Sequence, residues 1–212
     1  MRYRNILLDF DGTVAQSGNG IINGVRFACE TMGLTEGSPW EDWRAYIGPT
    51  VYRYTTAVLG LDEAGRDKFM GLFKSYYKEH GIYESPTYPG IDELLSDARA
   101  AGMGVYLATS KPEELTMLSV KFLKLDFDGI VAAIPERNGK REVIAYCLEH
   151  YGLDPASSVM VGDRDGDILG GRANGTATIG VSYGYGTREE LESAGADFVA
   201  DSVAELRGRL LG

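Results

Sequence analysis

Asp9 and Asp11, in Asp9-Phe10-Asp11-Gly12-Thr13 straight after the apolar run Ile6-Leu7-Leu8, put two carboxylates where a buried strand gives way to a glycine turn. Two acids that close repel one another, and a hard cation such as Mg²⁺ relieves the repulsion by taking oxygen ligands in octahedral geometry. Such a strand end can hold one cation and also supply a nucleophile. The same Asp-x-Asp-Gly pattern occurs in ordinary turns, where Asp and Gly stabilise backbone bends. Three further segments decide between the two.

Thr109-Ser110-Lys111-Pro112 closes a second apolar run with two hydroxyls and a lysine just before a helical pattern. In parallel α/β sheets ligands bind outside the carboxyl ends of strands, and the free N–H groups of a helix start favour phosphate. The plainer alternative is that Thr109 or Ser110 caps the helix and Pro112 starts it. Asn138-Gly139-Lys140-Arg141-Glu142 opens another amphipathic helix. An ammonium there would offset negative charge on a nucleophile and on a phosphoryl group; Lys140 is the choice over Arg141, although either could be a solvated helix-start residue. Val159-Met160-Val161-Gly162-Asp163-Arg164-Asp165-Gly166-Asp167 is a third strand ending in acid. Asp163 and Asp167, four apart, can converge on one cation if a helix starts at Asp165. Helix starts attract acids through the macrodipole, which accounts for Asp165. Three mutually repelling aspartates are most simply compensated by a metal.

These segments need a frame that brings them together. Tyr3 to Leu8, Gly104 to Ala108, Gly129 to Ala133, Ser158 to Val161 and Ala177 to Val181 read as strands, mostly without polar alternation. Helical patterns run over Ile91 to Ala101, Pro112 to Leu123, Lys140 to Tyr151 and Asp165 to Ala173. Apolar strands separated by helices make a parallel sheet covered on both faces. Thr187 with Glu190 and Ser202 with Glu205 form S/T-x-x-E capping boxes, so two short helices start there in structural roles. Between about Gln16 and Pro86 the alternation stops, and helical patterns over Ile21 to Met32, Thr50 to Leu59 and Glu63 to His80 follow without a strand. This gives an α/β chain with a Rossmann-like core over 1–15 and 87–212 and a helical cap, a candidate lid, over 16–86.

Composition bounds the partners. The chain has 212 residues, 44% of them hydrophobic, enough to bury a substantial core. Its net charge of −10 disfavours nucleic-acid polymers and anionic membranes, so an anionic substrate must be drawn in by a local positive site. No apolar run approaches the ~20 residues that span a bilayer, and the stretch at Ile6 is broken by Asp9, so no secretory leader is read. Only Cys29 and Cys147 are present, far apart, which with the lack of a leader predicts a reduced, cytoplasmic setting.

The four segments, in this order and spacing, resemble the four motifs of the haloacid dehalogenase superfamily, and the likeness covers nearly the whole chain. Tyr46-Ile47-Gly48-Pro49 and Tyr183-Gly184-Tyr185-Gly186-Thr187 add to a likeness with its phosphoglycolate phosphatase-like and 5′-nucleotidase-like members, which carry a small helical cap. The resemblance implies Asp9 as nucleophile on phosphorus and Asp11 as general acid and then base, its backbone carbonyl also on Mg²⁺. It implies Thr109 and the following amide, at Ser110, on the phosphoryl oxygens, and Lys140 steadying Asp9 and the phosphate. Asp9 and Asp163 would bind the metal, with Asp167 as ligand or as partner behind it, and Phe10 would pack the other way. The dehalogenases need neither a second aspartate nor a metal, so Asp11 points to phosphoryl transfer. Sugar-phosphate mutases of the superfamily usually carry an acid where this chain has Gly162, which favours hydrolysis. In the cap, Arg44, Tyr46 and Arg53 are the candidates for contacting the leaving group; the look-alikes often have a second proline at Thr50. Trp40 and Trp43 read as cap core, and His80 and His150 as surface or helix-capping residues away from the chemistry. The expected activity is a Mg²⁺-dependent phosphatase acting on a small phosphorylated metabolite, as monomer or homodimer. The alternatives are a sugar-phosphate mutase and a non-catalytic phosphate-binding protein.

Overall fold

The computed structural model describes residues 3–34, 51, 55 and 59–212. It divides into two compact units, one made of Met1–Gln16 and Thr87–Gly212, the other of Ser17–Pro86.

The larger unit is built on six strands: β1 (Asn5–Leu8), β2 (Gly104–Pro112), β3 (Gly129–Ala133), β4 (Ser158–Gly162), β5 (Ala177–Val181) and β6 (Phe198–Ala200). They form one parallel sheet in the order β3-β2-β1-β4-β5-β6, the Rossmann-like arrangement. The strand centres are mostly apolar because both faces are covered. Ile6 and Leu8 of β1 and Val159 and Val161 of β4 point into one layer. That layer is closed by Ile91, Leu94, Leu95 and Ala98 on one helix (Ile91–Ala100) and by Val203, Leu206 and Leu210 on the last (Val203–Leu211). Leu7 and Met160 point the other way, onto Val143, Ile144, Cys147 and Leu148 of the helix Lys140–His150.

The strand expectations hold with shifted ends and one omission. β2 runs on to Pro112, four residues past Ala108, so its helix starts at Glu113 with Pro112 as the cap residue and neither Thr109 nor Ser110 capping it. β6 was not expected: it is three residues long and sits at the sheet edge, too short for a periodic signal. In the C-terminal boxes, Thr187 and Ser202 do cap their helices by accepting from the Glu190 and Glu205 amides. The glutamates do other work: Glu205 takes the Asp201 amide, and Glu190 turns to Arg164 and Asp165.

In the smaller unit, α1 (Gly18–Met32) packs on α2 (Glu63–Tyr76). Asp62 caps α2 by accepting from the Gly65 amide at 2.8 Å. The helix expected to reach His80 instead passes after Tyr76 into one π-helical turn, Tyr77–Gly81. The expected helix over Thr50 to Leu59 lies almost wholly outside the described residues.

The remaining helices of the larger unit follow in chain order: α3 (Ile91–Ala100), α4 (Glu113–Leu123), α5 (Lys140–His150), α6 (Asp165–Ala173), α7 (Arg188–Ser193) and α8 (Val203–Leu211). Among the described residues no helix is long and apolar enough to cross a membrane.

Candidate active site

β1 lies between β2 and β4, with Leu8 in register with Leu107 and Val161. The three chains therefore reach the carboxyl edge together, at the point where the strand order reverses, which is where open α/β sheets bind ligands. Asp9 follows β1 directly and its amide donates to Val161 O at 2.9 Å, holding the residue against β4. The chain then turns sharply. Phe10 O accepts the amides of Val14 and Ala15, Phe10 itself is fully buried, and Gly12 sits at φ +80°. A Cβ at Gly12 would lie 2.1 Å from Asp163 Oδ2, so this turn and the end of β4 touch through glycine.

Lys140, the first residue of α5, reaches back over the edge. Its Nζ forms ion pairs with Asp9 Oδ1 and Asp167 Oδ1, each at 2.7 Å, and donates to Ala108 O at 3.2 Å. Arg141 is exposed. Asp167 also accepts from the Arg164 amide at 3.1 Å, at the start of α6, and Glu190 secures that start by accepting from Arg164 Nε at 2.9 Å and the Asp165 amide at 3.0 Å. Asp165 is exposed and bonds its own turn through the Gly166 amide. Asp163 accepts from the Tyr185 amide at 2.8 Å through Oδ2, while Oδ1 is buried without a hydrogen-bond partner.

Asp9, Asp163 and Asp167 thus present ligand atoms within 4.8 Å of one another. Asp9 and Asp167 share a single ammonium, and Asp163 lies beside them with its Oδ1 buried and without a hydrogen-bond partner. Unpaired buried charge is costly, and a hard divalent cation with oxygen ligands would compensate it. The donor set therefore fits Mg²⁺.

Thr109 is buried within β2, directly after Ala108, and its Oγ1 accepts from the Lys111 amide at 3.2 Å; Ser110 beside it is half-buried. Lys111 is a site residue that the sequence reading did not single out. Its Nζ grips both carboxylate oxygens of Asp11, at 2.9 and 3.1 Å, and lies 5.4 Å from the Phe10 ring centre. A signal was available: if β2 stays extended past Ala108, residues 109 and 111 share a face. Arg44, Tyr46 and Arg53 lie outside the described residues, as do Trp40 and Trp43.

Burial and mutual repulsion shape the charges. Burial drives the Asp163 carboxyl well above its ordinary range, with Asp167 and Asp9 adding to the rise. Burial likewise pushes Asp167 up to about 6, against the pull of Lys140. For Lys140, burial favours the neutral amine, but Asp167 and Asp9 outweigh it and raise the ammonium above its usual value. Between the ordinary carboxylate range and about pH 6 the folded protein binds more protons than the unfolded chain, so these acids' stabilisation is present at low pH and falls as pH rises. Lys140 stays charged throughout that window. Chelator-treated protein is expected to lose several degrees of Tm from these groups between about pH 5 and about pH 7.5, and Mg²⁺ to restore more at the higher pH. Scanning calorimetry at both values checks this, and a Tm indifferent to Mg²⁺ at both would remove the cation from the site.

Comparisons with known proteins agree with this geometry. The family model described as Haloacid dehalogenase-like hydrolase matches residues 6–181. A 5′-nucleotidase of Pseudomonas aeruginosa is 33% identical over 211 residues, covering 98% of this chain and 95% of the relative. A phosphoglycolate phosphatase of Vibrio parahaemolyticus is 29% identical over 95% of this chain and 93% of its own. The tyrosine-protein kinase PtkA of Mycobacterium tuberculosis is 30% identical over 97% of this chain and 72% of its own. Among solved structures, a predicted phosphatase from Clostridium acetobutylicum superposes with a TM-score of 0.91 at 30% identity, covering 100% of this chain and 99% of that one.

Proposed function

This chain belongs to the haloacid dehalogenase-like hydrolase family, and on that premise we propose that it is a Mg²⁺-dependent phosphatase cleaving a small phosphomonoester through an aspartyl-phosphate on Asp9. The observation that carries the reading is Lys140, one buried ammonium spanning Asp9 and Asp167 at 2.7 Å each. A carboxylate tied in this way is held in one orientation, as a nucleophile must be.

Asp9 attacks phosphorus as the ester P–O bond breaks, and Asp11 gives its proton to the departing alkoxide. Asp11, now a carboxylate, takes a proton from water as the water oxygen attacks phosphorus; the bond to Asp9 breaks and inorganic phosphate leaves. Thr109 and the Ser110 amide hold the phosphoryl oxygens. Lys140 offsets charge on them, and Lys111 keeps Asp11 oriented before substrate arrives. Bound Mg²⁺ would supply Lewis-acid screening between the phosphoryl group and Asp9, held by the Asp9 and Asp163 carboxylates and the Asp11 carbonyl. Both Asp167 oxygens already have partners in Lys140 and the Arg164 amide, which favours Asp167 as the residue behind the ligands.

Gly162 favours hydrolysis over the mutase alternative. A Cβ at that position would lie 2.1 Å from Asp167 Cγ, so the space an acidic side chain would need there is filled by Asp167. Selection among esters is assigned to residues 16–86, with Arg44, Tyr46 and Arg53 as candidate contacts. The 5′-nucleotidase and phosphoglycolate phosphatase relatives make nucleoside 5′-monophosphates and 2-phosphoglycolate the first substrates to test. A phosphate-release screen over these, sugar phosphates, pyrophosphate and ATP is expected to show Mg²⁺-dependent hydrolysis of at least one small monoester, abolished by chelator. Isomerisation of a sugar phosphate without release would establish a mutase, and activity surviving complete chelation would rule out the metal.

A further inference from the structure

The segment Tyr183-Gly184-Tyr185-Gly186, between β5 and α7, is built against both acid-bearing turns. Its Tyr185 amide is the donor that occupies Asp163 Oδ2. Its Gly184 has no room for a side chain: a Cβ would lie 2.4 Å from Asp163 Cβ and 2.4 Å from Gly12 O. At Gly186 a Cβ would lie 2.0 Å from Asp163 O. At the start of the segment, the Tyr183 hydroxyl donates to Thr13 O at 3.1 Å, and its ring meets Tyr88 edge-on at 4.9 Å. Burial, with Tyr88 and Asp163 nearby, holds the Tyr183 phenol far above its ordinary range, so it remains a donor. The segment is therefore wedged onto Asp163 through glycine and pinned to the Asp9–Thr13 turn through a tyrosine.

Asp163 has two carboxylate oxygens and only one is committed, to the Tyr185 amide; the other is buried and unsatisfied. A side chain free to spin about its last bond would offer either oxygen at changing angles. The amide removes that freedom, and the glycine contacts set the distance between Asp163 and the Gly12 turn. We infer that the Tyr183–Gly186 loop is a positioning element that presents one oxygen of Asp163 to a divalent cation and thereby sets cation affinity. The inference rests on the reading of Asp163 as a cation ligand. Groups that orient a ligand from behind typically change metal affinity about 10–100-fold when altered.

The test measures Mn²⁺ binding directly, by the electron paramagnetic resonance signal of free Mn²⁺ titrated with chelator-stripped full-length protein, with Tm and steady-state kinetics alongside. Gly184→Ala, which must push Asp163 or the Gly12 turn aside, is expected to weaken Mn²⁺ binding at least about tenfold. Tyr183→Phe, which frees Thr13 O without adding volume, is expected to weaken it about threefold or more, with kcat at saturating Mn²⁺ retained within about threefold. Wild-type protein that binds no Mn²⁺ would overturn the cation reading itself. Wild-type binding with both variants binding equally well would overturn the role of the loop alone, as would a drop in Tm with Mn²⁺ affinity unchanged. If Gly184→Ala fails to fold, Tyr183→Phe decides by the same criterion.

Discussion

Asp9→Asn is expected to abolish phosphate release, by about 10⁴-fold or more, while the protein stays folded. The amide is no nucleophile at neutral pH, and nothing else at the carboxyl edge can replace it. Asp11, the nearest acid in sequence, is held through both oxygens by Lys111. The stability side of the experiment is equally specific. Asp9, Asp163 and Asp167 crowd one another around a cluster with one ammonium, paired to Asp9 and Asp167, so removing one negative charge relieves repulsion while Lys140 keeps Asp167 and Ala108 O as partners. In chelator, Tm should hold or rise, the usual sign of a site that carries function against stability. An unchanged rate of phosphate release in the folded variant would dismiss Asp9 as the nucleophile.

Lys140→Met is expected to damage both properties. Removing one partner of a buried ion cluster costs about 3–5 kcal/mol, because the remaining charges have nothing to face. For a chain of this length that is a fall in Tm of roughly 10 °C. Methionine keeps most of the stem volume, so the loss reports charge and hydrogen bonding and not a cavity. Phosphate release should fall by at least about 10³-fold, since the ammonium both fixes Asp9 and offsets charge in the transition state. Added Mg²⁺ should recover part of the stability and little of the activity. Arg141→Met, one residue on and exposed, should change stability by less than about 0.5 kcal/mol. Equal effects at the two positions would mean that the contact between Lys140 and Asp9 carries no energy.

Much of this could be read before any coordinates, for a physical reason. Strands covered on both faces are mostly apolar at their centres, so Ile6-Leu7-Leu8 and Val159-Met160-Val161 stand out, and acids at their ends mark the edge where ligands bind. Side chains that act through their own chemistry, such as Asp9 or Lys140, also carry their meaning in their residue type. What acts through backbone does not. The Tyr185 amide that fixes Asp163 is the same group every residue but proline carries, and only its neighbours Gly184 and Gly186 hint at the close approach. Lys111 was hidden by an assumed helix start at Pro112; with β2 extended, it faces Asp11. Glu190 looked like a local capping partner for Thr187, and instead it fastens the α6 start that carries Asp167. β6 is only three residues long, and periodicity needs more chain than that.

One of the two central strands, β1, comes first in the chain and its two flanking strands come much later. During synthesis β1 therefore has no partner on either side until β2 has emerged, and Asp9 meets neither Lys140 nor Asp167 until the ribosome has passed both. Contacts this distant close late and slowly. Asp9 is made almost at once, but the cluster of acids and ammonium around it stays incomplete until most of the larger unit has been translated.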